Sequence, residues 1–146
     1  MIIAVPMLSC HGDGFELQDG QFELKDDIMS DGYWEMLESL PNSYAATKDG
    51  VVIGFFGLVP QSEHRALGWA LIGKNCVPSD FVKFTRGVRE YIDASGFKRV
   101  EIVIRDGFQN GHRWAKMLGF HCETPRPMLN WFKSGIGAFL YSRCYE

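Results

Sequence analysis

The segment from Ala66 to Phe120 constrains the fold most, because its apolar pattern changes between the period of a strand and that of a helix. Two runs, ALGWALIG at Ala66–Gly73 and VEIVIR at Val100–Arg105, indicate strands. Between them, Asp80–Ser95 indicates a long helix. Its apolar face carries Phe81, Phe84, Val88, Tyr91 and Ile92. A helix that joins two strands of one sheet is usually a right-handed crossover, so we predict that these strands are parallel neighbours.

A second, shorter helix is predicted within Gly111–Phe120, GHRWAKMLGF. Its apolar residues recur at helical spacing: Trp114, Met117 and Leu118. Gly119 follows directly, where many helices end in a left-handed turn. We expect this helix to begin beyond the loop Asp106–Gln109 and Phe120 to pack back on its last turn.

The rest of the chain supplies further short elements. The predicted strands are Met1–Leu8, Tyr44–Thr47, Val51–Val59, Phe120–Thr124 and Ala138–Tyr145. A helix is predicted at Ser30–Leu40, with Ser30 or Asp31 as its cap. Its apolar face comprises Tyr33, Met36, Leu37 and Leu40. Ser9–Leu24 allows either a hairpin around Asp19-Gly20 or an irregular arm.

This element order predicts one α/β (α+β) domain over residues 1–146, with a mixed, largely antiparallel sheet flanked by helices. A chain of 146 residues is long enough to bury an independent core.

The strand, the short helix ending in Leu118-Gly119-Phe120 and the strand after it resemble the second half of the GNAT N-acetyltransferases. Within that superfamily, Trp114-Ala115 looks like the small acetyltransferase-like proteins of tailed phages, some of them internal virion proteins. The resemblance covers roughly Ser43 to Arg143 in element order, and its motif is about ten residues long.

The resemblance implies binding of acetyl-CoA and acetyl transfer to an amine. The pantetheine arm would pair with the strand formed by Trp69, Ala70, Leu71 and Ile72. The pyrophosphate would lie at the start of the following helix, near Lys74 and Ser79. Phe108 and Trp114, at the short helix that ends in Leu118-Gly119-Phe120, would also contact the cofactor. Glu63 and His112 are the candidates for proton transfer.

Each of these residues also has a simpler structural interpretation. Ser79 can be an ordinary helix cap, and the tryptophans can belong to the core. His112 can be a solvated or capping side chain, and Glu63 an exposed turn residue.

Two departures from the family pattern predict weak activity. The loop from Gly73 to Asp80 lacks the usual pair of spaced glycines, and Asp80 would repel a phosphate. The tyrosine that often protonates the departing thiolate falls on Ala115, and the asparagine at the helix start falls on Phe108. We therefore expect any acetyl transfer to be slow and to use no tyrosine from this helix.

Charge is divided unevenly along the chain. Residues 1–73 carry 3 Lys or Arg and 11 Asp or Glu, a net charge of −8, whereas residues 74–146 carry 12 and 7, a net charge of +5. The second half can present a positive surface to coenzyme A or to another anion. Alternatively, Lys83, Arg86 and Arg89 are the solvated face of one helix. Nucleic acid is a less favoured partner, because no long basic run accompanies these charges.

The four cysteines show no C-x-x-C spacing, so we expect free thiols. Cys10-His11 and His121-Cys122 are adjacent pairs, which on a strand point to opposite faces, and no metal site is expected. The opening MIIAVPML resembles no export signal, and no apolar run approaches the roughly 20 residues that span a bilayer. We expect a cytoplasmic protein, in the host cytoplasm or a virion if a phage encodes it.

Three functional classes follow: an acetyl-CoA-dependent N-acetyltransferase, a catalytically inactive phage virion or host-interaction protein of the same fold, and a module that binds another anionic ligand.

Overall fold

The computed structural model describes all residues from Met1 to Glu146. Seven strands form one mixed sheet in the order β1-β2-β3-β4-β5-β7-β6. The strands are β1 Ile2–Pro6, β2 Ser43–Lys48, β3 Val51–Pro60, β4 Arg65–Ile72, β5 Arg99–Arg105, β6 His121–Cys122 and β7 Ala138–Cys144. The α-helices are α1 Lys25–Met29, α2 Tyr33–Ser39, α3 Pro78–Ala94 and α4 Gln109–Met117.

Helix α3 makes the predicted crossover. Strands β4 and β5 are parallel, with Arg65 opposite Arg99 and Leu67 opposite Glu101. The pairs β1–β2, β2–β3, β5–β7 and β6–β7 are antiparallel. The predicted fold class, a mixed and largely antiparallel sheet flanked by helices, is confirmed.

The chain folds into two compact units. The first comprises Met1–Val59 with Trp69–Phe84, and the second comprises Pro60–Gly68 with Thr85–Glu146.

The core of the first unit lies where the segment before β2 covers the sheet. Its buried cluster consists of Met7, Leu17, Leu37, Ala45, Phe55 and Leu71. Trp34 stands 5.1 Å from Phe55 between ring centroids. Phe15 meets Phe55 edge-on at 4.9 Å. Aromatic edge contacts of this kind add to the stabilisation that burial supplies.

Helix α2 differs from its prediction in its start and in its buried face. The residue before its first turn is Gly32, in a left-handed conformation, so neither Ser30 nor Asp31 caps it. Met36 is 44% exposed, because the helix turns Trp34 and Leu37 towards the core instead. Trp34 packs on the core although the predicted face omitted it.

The second unit contains the helix with the glycine end. Gly119 has a φ of +89°, which a glycine adopts without strain. The N–H of Phe120 donates to the carbonyl of Ala115 at 3.0 Å, and the N–H of Gly119 donates to Lys116 at 3.0 Å. This bond pair is a Schellman motif, so the predicted end is confirmed. The helix begins at Gln109, inside the predicted loop, and Met117 is 48% exposed.

The segment Ser9–Leu24 forms no hairpin, so that alternative is wrong. It contains two 3-10 helices, Ser9–Gly12 and Asp19–Leu24. Between them Leu17 makes an isolated antiparallel bridge to Gly73. The four cysteines are free thiols, and no helix has the length and apolar character that crossing a membrane requires.

Candidate functional site

In the second half of β4, the edge away from β3 pairs with no other strand, because β5 pairs only with Arg65–Leu67, and we call it the free edge in that sense. The N–H of Gly73 donates to the carbonyl of Ile53 in β3 at 2.9 Å. Successive residues of a strand direct their backbone groups to opposite edges. The backbone groups of Ala70 and Ile72 therefore point away from β3.

The protein's own chain occupies that edge. The N–H of Ile72 donates to Oε1 of Gln21 at 2.9 Å, and Nε2 of Gln21 donates to the carbonyl of Ala70 at 2.9 Å. The N–H of Gln18 donates to the backbone carbonyl of Ile72 at 2.8 Å, and the N–H of Lys74 donates to the backbone carbonyl of Glu16 at 2.9 Å. The backbone groups that the family resemblance assigns to the pantetheine arm are thus already hydrogen-bonded, and they do not accept that arm in the present arrangement.

The side chains of the other two predicted residues of β4, Trp69 and Leu71, lie on the face of the strand opposite to those of Ala70 and Ile72. Leu71 is 2% exposed and belongs to the core cluster, which Trp69 also contacts. The indole of Trp69 covers Gly57, where an added Cβ would lie 2.6 Å from Nε1. That nitrogen is buried and has no hydrogen-bond partner. The structure thus gives both side chains a packing role.

Lys74 lies in the loop after β4, and Ser79 and Asp80 lie in the first turn of α3. Lys74 Nζ lies 3.4 Å from Asp19 Oδ1, and both side chains are well exposed. Ser79 is exposed in the first turn of α3, which begins at Pro78. Asp80 is buried, and both of its carboxylate oxygens accept from Lys48 Nζ, at 3.1 and 3.0 Å. Since Lys48 neutralises Asp80, the repulsion of a phosphate is smaller than the sequence indicates.

In the second unit, Phe108 and Trp114 are tied into the packing around α4. Phe108 precedes the first turn of α4, and the guanidinium of Arg105 lies 5.4 Å from its ring centroid. A Cβ on Gly111 would come within 2.5 Å of the Phe108 ring, so glycine is needed for this contact. Trp114 Nε1 donates to Thr85 Oγ1 in α3 at 2.8 Å.

His112 is held at both ring nitrogens. Its Nδ1 lies 2.7 Å from Tyr141 Oη, and its Nε2 lies 3.1 Å from the carbonyl of Arg105. Because a carbonyl only accepts, Nε2 carries the proton and Nδ1 accepts from the tyrosine hydroxyl. Burial lowers the pKa of His112 below its ordinary 6.5, and burial likewise raises the pKa of Tyr141. The imidazole is therefore a neutral link between α4 and β7.

Glu63 and Ala115 differ in their exposure to solvent. Glu63 is exposed in the turn before β4, at the opposite end of that strand from Ile72. Ala115 is completely buried, so the position that the family often fills with tyrosine is a packing position here. No three His, Cys, Asp or Glu side chains form a group that could hold a metal ion.

Three residues with notable contacts were not predicted from the sequence: Gln21 and Lys48 in the first unit and Tyr141 in the second. Gln21 lies in a segment without clear periodicity, and Lys48 meets Asp80 across 32 residues of chain. Tyr141 lies in β7, whose sequence AFLYSRC does not alternate, and its pairing with His112 depends on how α4 packs.

A cleft of about 650 Å³ opens beside the bridge between Leu17 and Gly73. Its lining comes from the first 3-10 helix and the residues after it, the β2–β3 turn and the loop after β4: Cys10, His11, Asp13, Gly14, Phe15, Glu16, Gly50, Val51, Val52, Lys74 and Asn75.

Comparison with known proteins gives matches of structure only. No family model matches the chain, and no curated protein sequence matches it. Ard1 from Thermoplasma volcanium superposes with a TM-score of 0.80 at 13% identity, covering 99% of this chain and 98% of that one. An N-acetyltransferase from Staphylococcus aureus Mu50 gives 0.73 at 12% identity, covering 99% and 97%. A GNAT-family acetyltransferase from Streptococcus pneumoniae gives 0.61 at 12% identity, covering both chains completely. The chain therefore has the fold of the GNAT acetyltransferases.

Proposed function

We propose that the chain is an acetyl-CoA-dependent N-acetyltransferase that transfers an acetyl group to an amine. The observation that carries this proposal is the likeness of the whole fold, since the chain superposes over 99% of its length on a protein named as an N-acetyltransferase. Because one fold can serve several functions, the local groups must also support the chemistry.

The phosphates of coenzyme A would lie against the first turn of α3. The N-terminus of a helix offers unpaired N–H groups and a positive partial charge, and Ser79 adds an exposed hydroxyl there. Lys74 supplies a flexible, half-exposed ammonium in the loop before the helix. Lys48 neutralises Asp80, which would otherwise weaken this site.

We assign the pantetheine arm to the edge of β4 at Ala70 and Ile72, once the bonds to Gln18 and Gln21 are released. Phe108 and Trp114, at α4 in the second unit, stay candidates for cofactor contacts on the family resemblance alone.

Proton transfer would be the weak step. Ala115 provides no acid, and both ring nitrogens of His112 are already bonded. Glu63 is the candidate base, because its carboxylate is exposed and can act through a water. Positioning of an amine against a thioester can by itself supply a large part of a rate enhancement. The proposal is therefore of slow turnover.

A second candidate is a protein of this fold that acts by contact with other phage or host proteins and performs no catalysis. Its ground is that two features lower the expected catalytic rate: the edge of β4 is closed by residues 16–21, and the position of the family tyrosine is filled by a buried alanine.

Thiol release from acetyl-CoA, measured across a panel of primary amines, tests the proposal. We expect slow, amine-dependent release that saturates with acetyl-CoA. Lys74→Ala should raise the KM for acetyl-CoA, while Lys83→Ala, an exposed lysine on α3, should not. Failure of every amine to release thiol, together with no binding of acetyl-CoA, would instead support the contact protein.

A further inference from the structure

We propose that Glu16–Gln21 is an intramolecular strap that closes the free edge of β4, and that a coenzyme A thioester binds only by displacing it. The proposal rests on the acetyltransferase function proposed above. It goes further by naming the segment that controls access to the site.

The strap copies the bonding of an added strand. Gln18 and Glu16 exchange backbone bonds with Ile72 and Lys74 in an antiparallel bridge centred on Leu17 and Gly73. Beyond the bridge the backbone forms a 3-10 helix, and the side chain of Gln21, not the backbone, makes the next hydrogen bonds to β4.

A glutamine side chain is a primary amide, with an acceptor and donors like those of the peptide group. The amide of Gln21 therefore bonds Ile72 and Ala70 as a neighbouring peptide would. Nε2 of Gln18 donates to Oε1 of Gln21 at 2.9 Å and so holds that amide in place.

An extended ligand that carries amide groups would need the same partners. Such a ligand adds to a strand edge through backbone hydrogen bonds. The pantetheine arm of coenzyme A is extended and contains two amides. Ile72 and Lys74 each have a single backbone N–H, and both are already donated, to Gln21 and Glu16. Strap and ligand therefore exclude one another at this edge.

The strap also engages the cation next to that edge. Asp19, within the strap, lies 3.4 Å from Lys74 Nζ, the ammonium available to a phosphate. Both partners are exposed, so this contact yields readily to a competing anion. Leu17, the second residue of the strap, is 7% exposed and belongs to the core cluster, which anchors the strap. Glu16, at the other end, is exposed and lines the 650 Å³ cleft, which gives this end room to move.

Gln21→Ala removes both side-chain bonds that close the edge and leaves the Leu17 anchor intact. The Kd for acetyl-CoA should fall about fivefold or more, as expected when a net hydrogen bond no longer favours the closed state. Gln61→Ala, in the turn before β4, is the matched control and should keep the wild-type Kd. Both are measured by calorimetric titration of the full chain.

Hydrogen exchange on the wild-type protein gives a second measurement that depends on no variant. Saturation with acetyl-CoA should speed exchange of the Gln18 amide, which the closed strap protects. An unchanged Kd in Gln21→Ala, or undiminished protection of Gln18 in the complex, overturns the strap while the acetyltransferase proposal stands. No binding by either protein at millimolar acetyl-CoA overturns both.

Discussion

The ion pair between Lys48 and Asp80 allows an asymmetric prediction about stability. The Asp80 side chain is 5% exposed and that of Lys48 is 41% exposed. Lys48→Met leaves a buried carboxylate without its cation, a change that costs about 3–5 kcal/mol when a pair is fully buried. Because the Lys48 ammonium is open to water, solvent screening reduces that cost, and we expect Lys48→Met to lower the free energy of unfolding by about 2 kcal/mol.

Asp80→Asn should cost less, about 1 kcal/mol, since it leaves Lys48 free to be hydrated and removes only a favourable charge from the first turn of α3. In a double-mutant cycle the two changes should couple by about 1 kcal/mol. Urea unfolding followed by circular dichroism gives the free energies, and Lys48→Met should lower the midpoint by about 1 M. Zero coupling, or a greater loss for Asp80→Asn than for Lys48→Met, would refute this account of the pair.

Three further predictions concern packing and pH. Gly57→Ala places a Cβ 2.6 Å from Trp69 Nε1 and should destabilise the protein by about 1–3 kcal/mol, seen as a lower melting temperature; an unchanged melt would mean that the indole moves aside freely. Ala115→Tyr should lower the free energy of unfolding by about 3 kcal/mol or more because Ala115 is fully buried, so brisk thiol release by a stable variant would contradict this placement. Burial lowers the pKa of His112, so the imidazole binds a proton less readily in the folded state than in the unfolded chain. The stabilisation that neutral His112 gives the folded state is therefore complete above pH 6.5 and is lost as the pH falls below that value. Wild-type stability should therefore fall more between pH 7.5 and 5.5 than that of His112→Gln, and equal losses would exclude His112 as the cause.

The order of elements was predictable because local patterns determine it. The apolar residues from Phe81 to Ile92 recur at helical spacing, and a helix between two apolar strands of one sheet predicts a crossover. Gly119 marked the end of α4 because only glycine adopts its left-handed conformation without cost.

The contacts at the candidate site were less accessible to prediction, since they join residues distant in sequence. Gln21 bonds to Ala70 across 49 residues, and nothing in FELQDGQFEL distinguishes it from a solvated glutamine. The buried face of α2 was mispredicted at Met36 because Trp34 and Met36 lie on either side of Leu37, and only the packing of the helix decides which of them meets the core. A site residue such as Lys74 could be selected from its place before a helix, but its ion pair with Asp19 could not.

The central claim is that acetyl-CoA binds along the edge of β4 and at the start of α3. Titration of the ¹⁵N-labelled protein with acetyl-CoA, followed by two-dimensional NMR, tests it directly. We predict saturable shifts concentrated at Ala70, Ile72, Lys74 and Ser79, with changes at Gln18 and Gln21 as the strap is released. Shifts confined to the exposed basic residues of α3, Lys83 and Arg86, or no saturable shift at all, would contradict the claim.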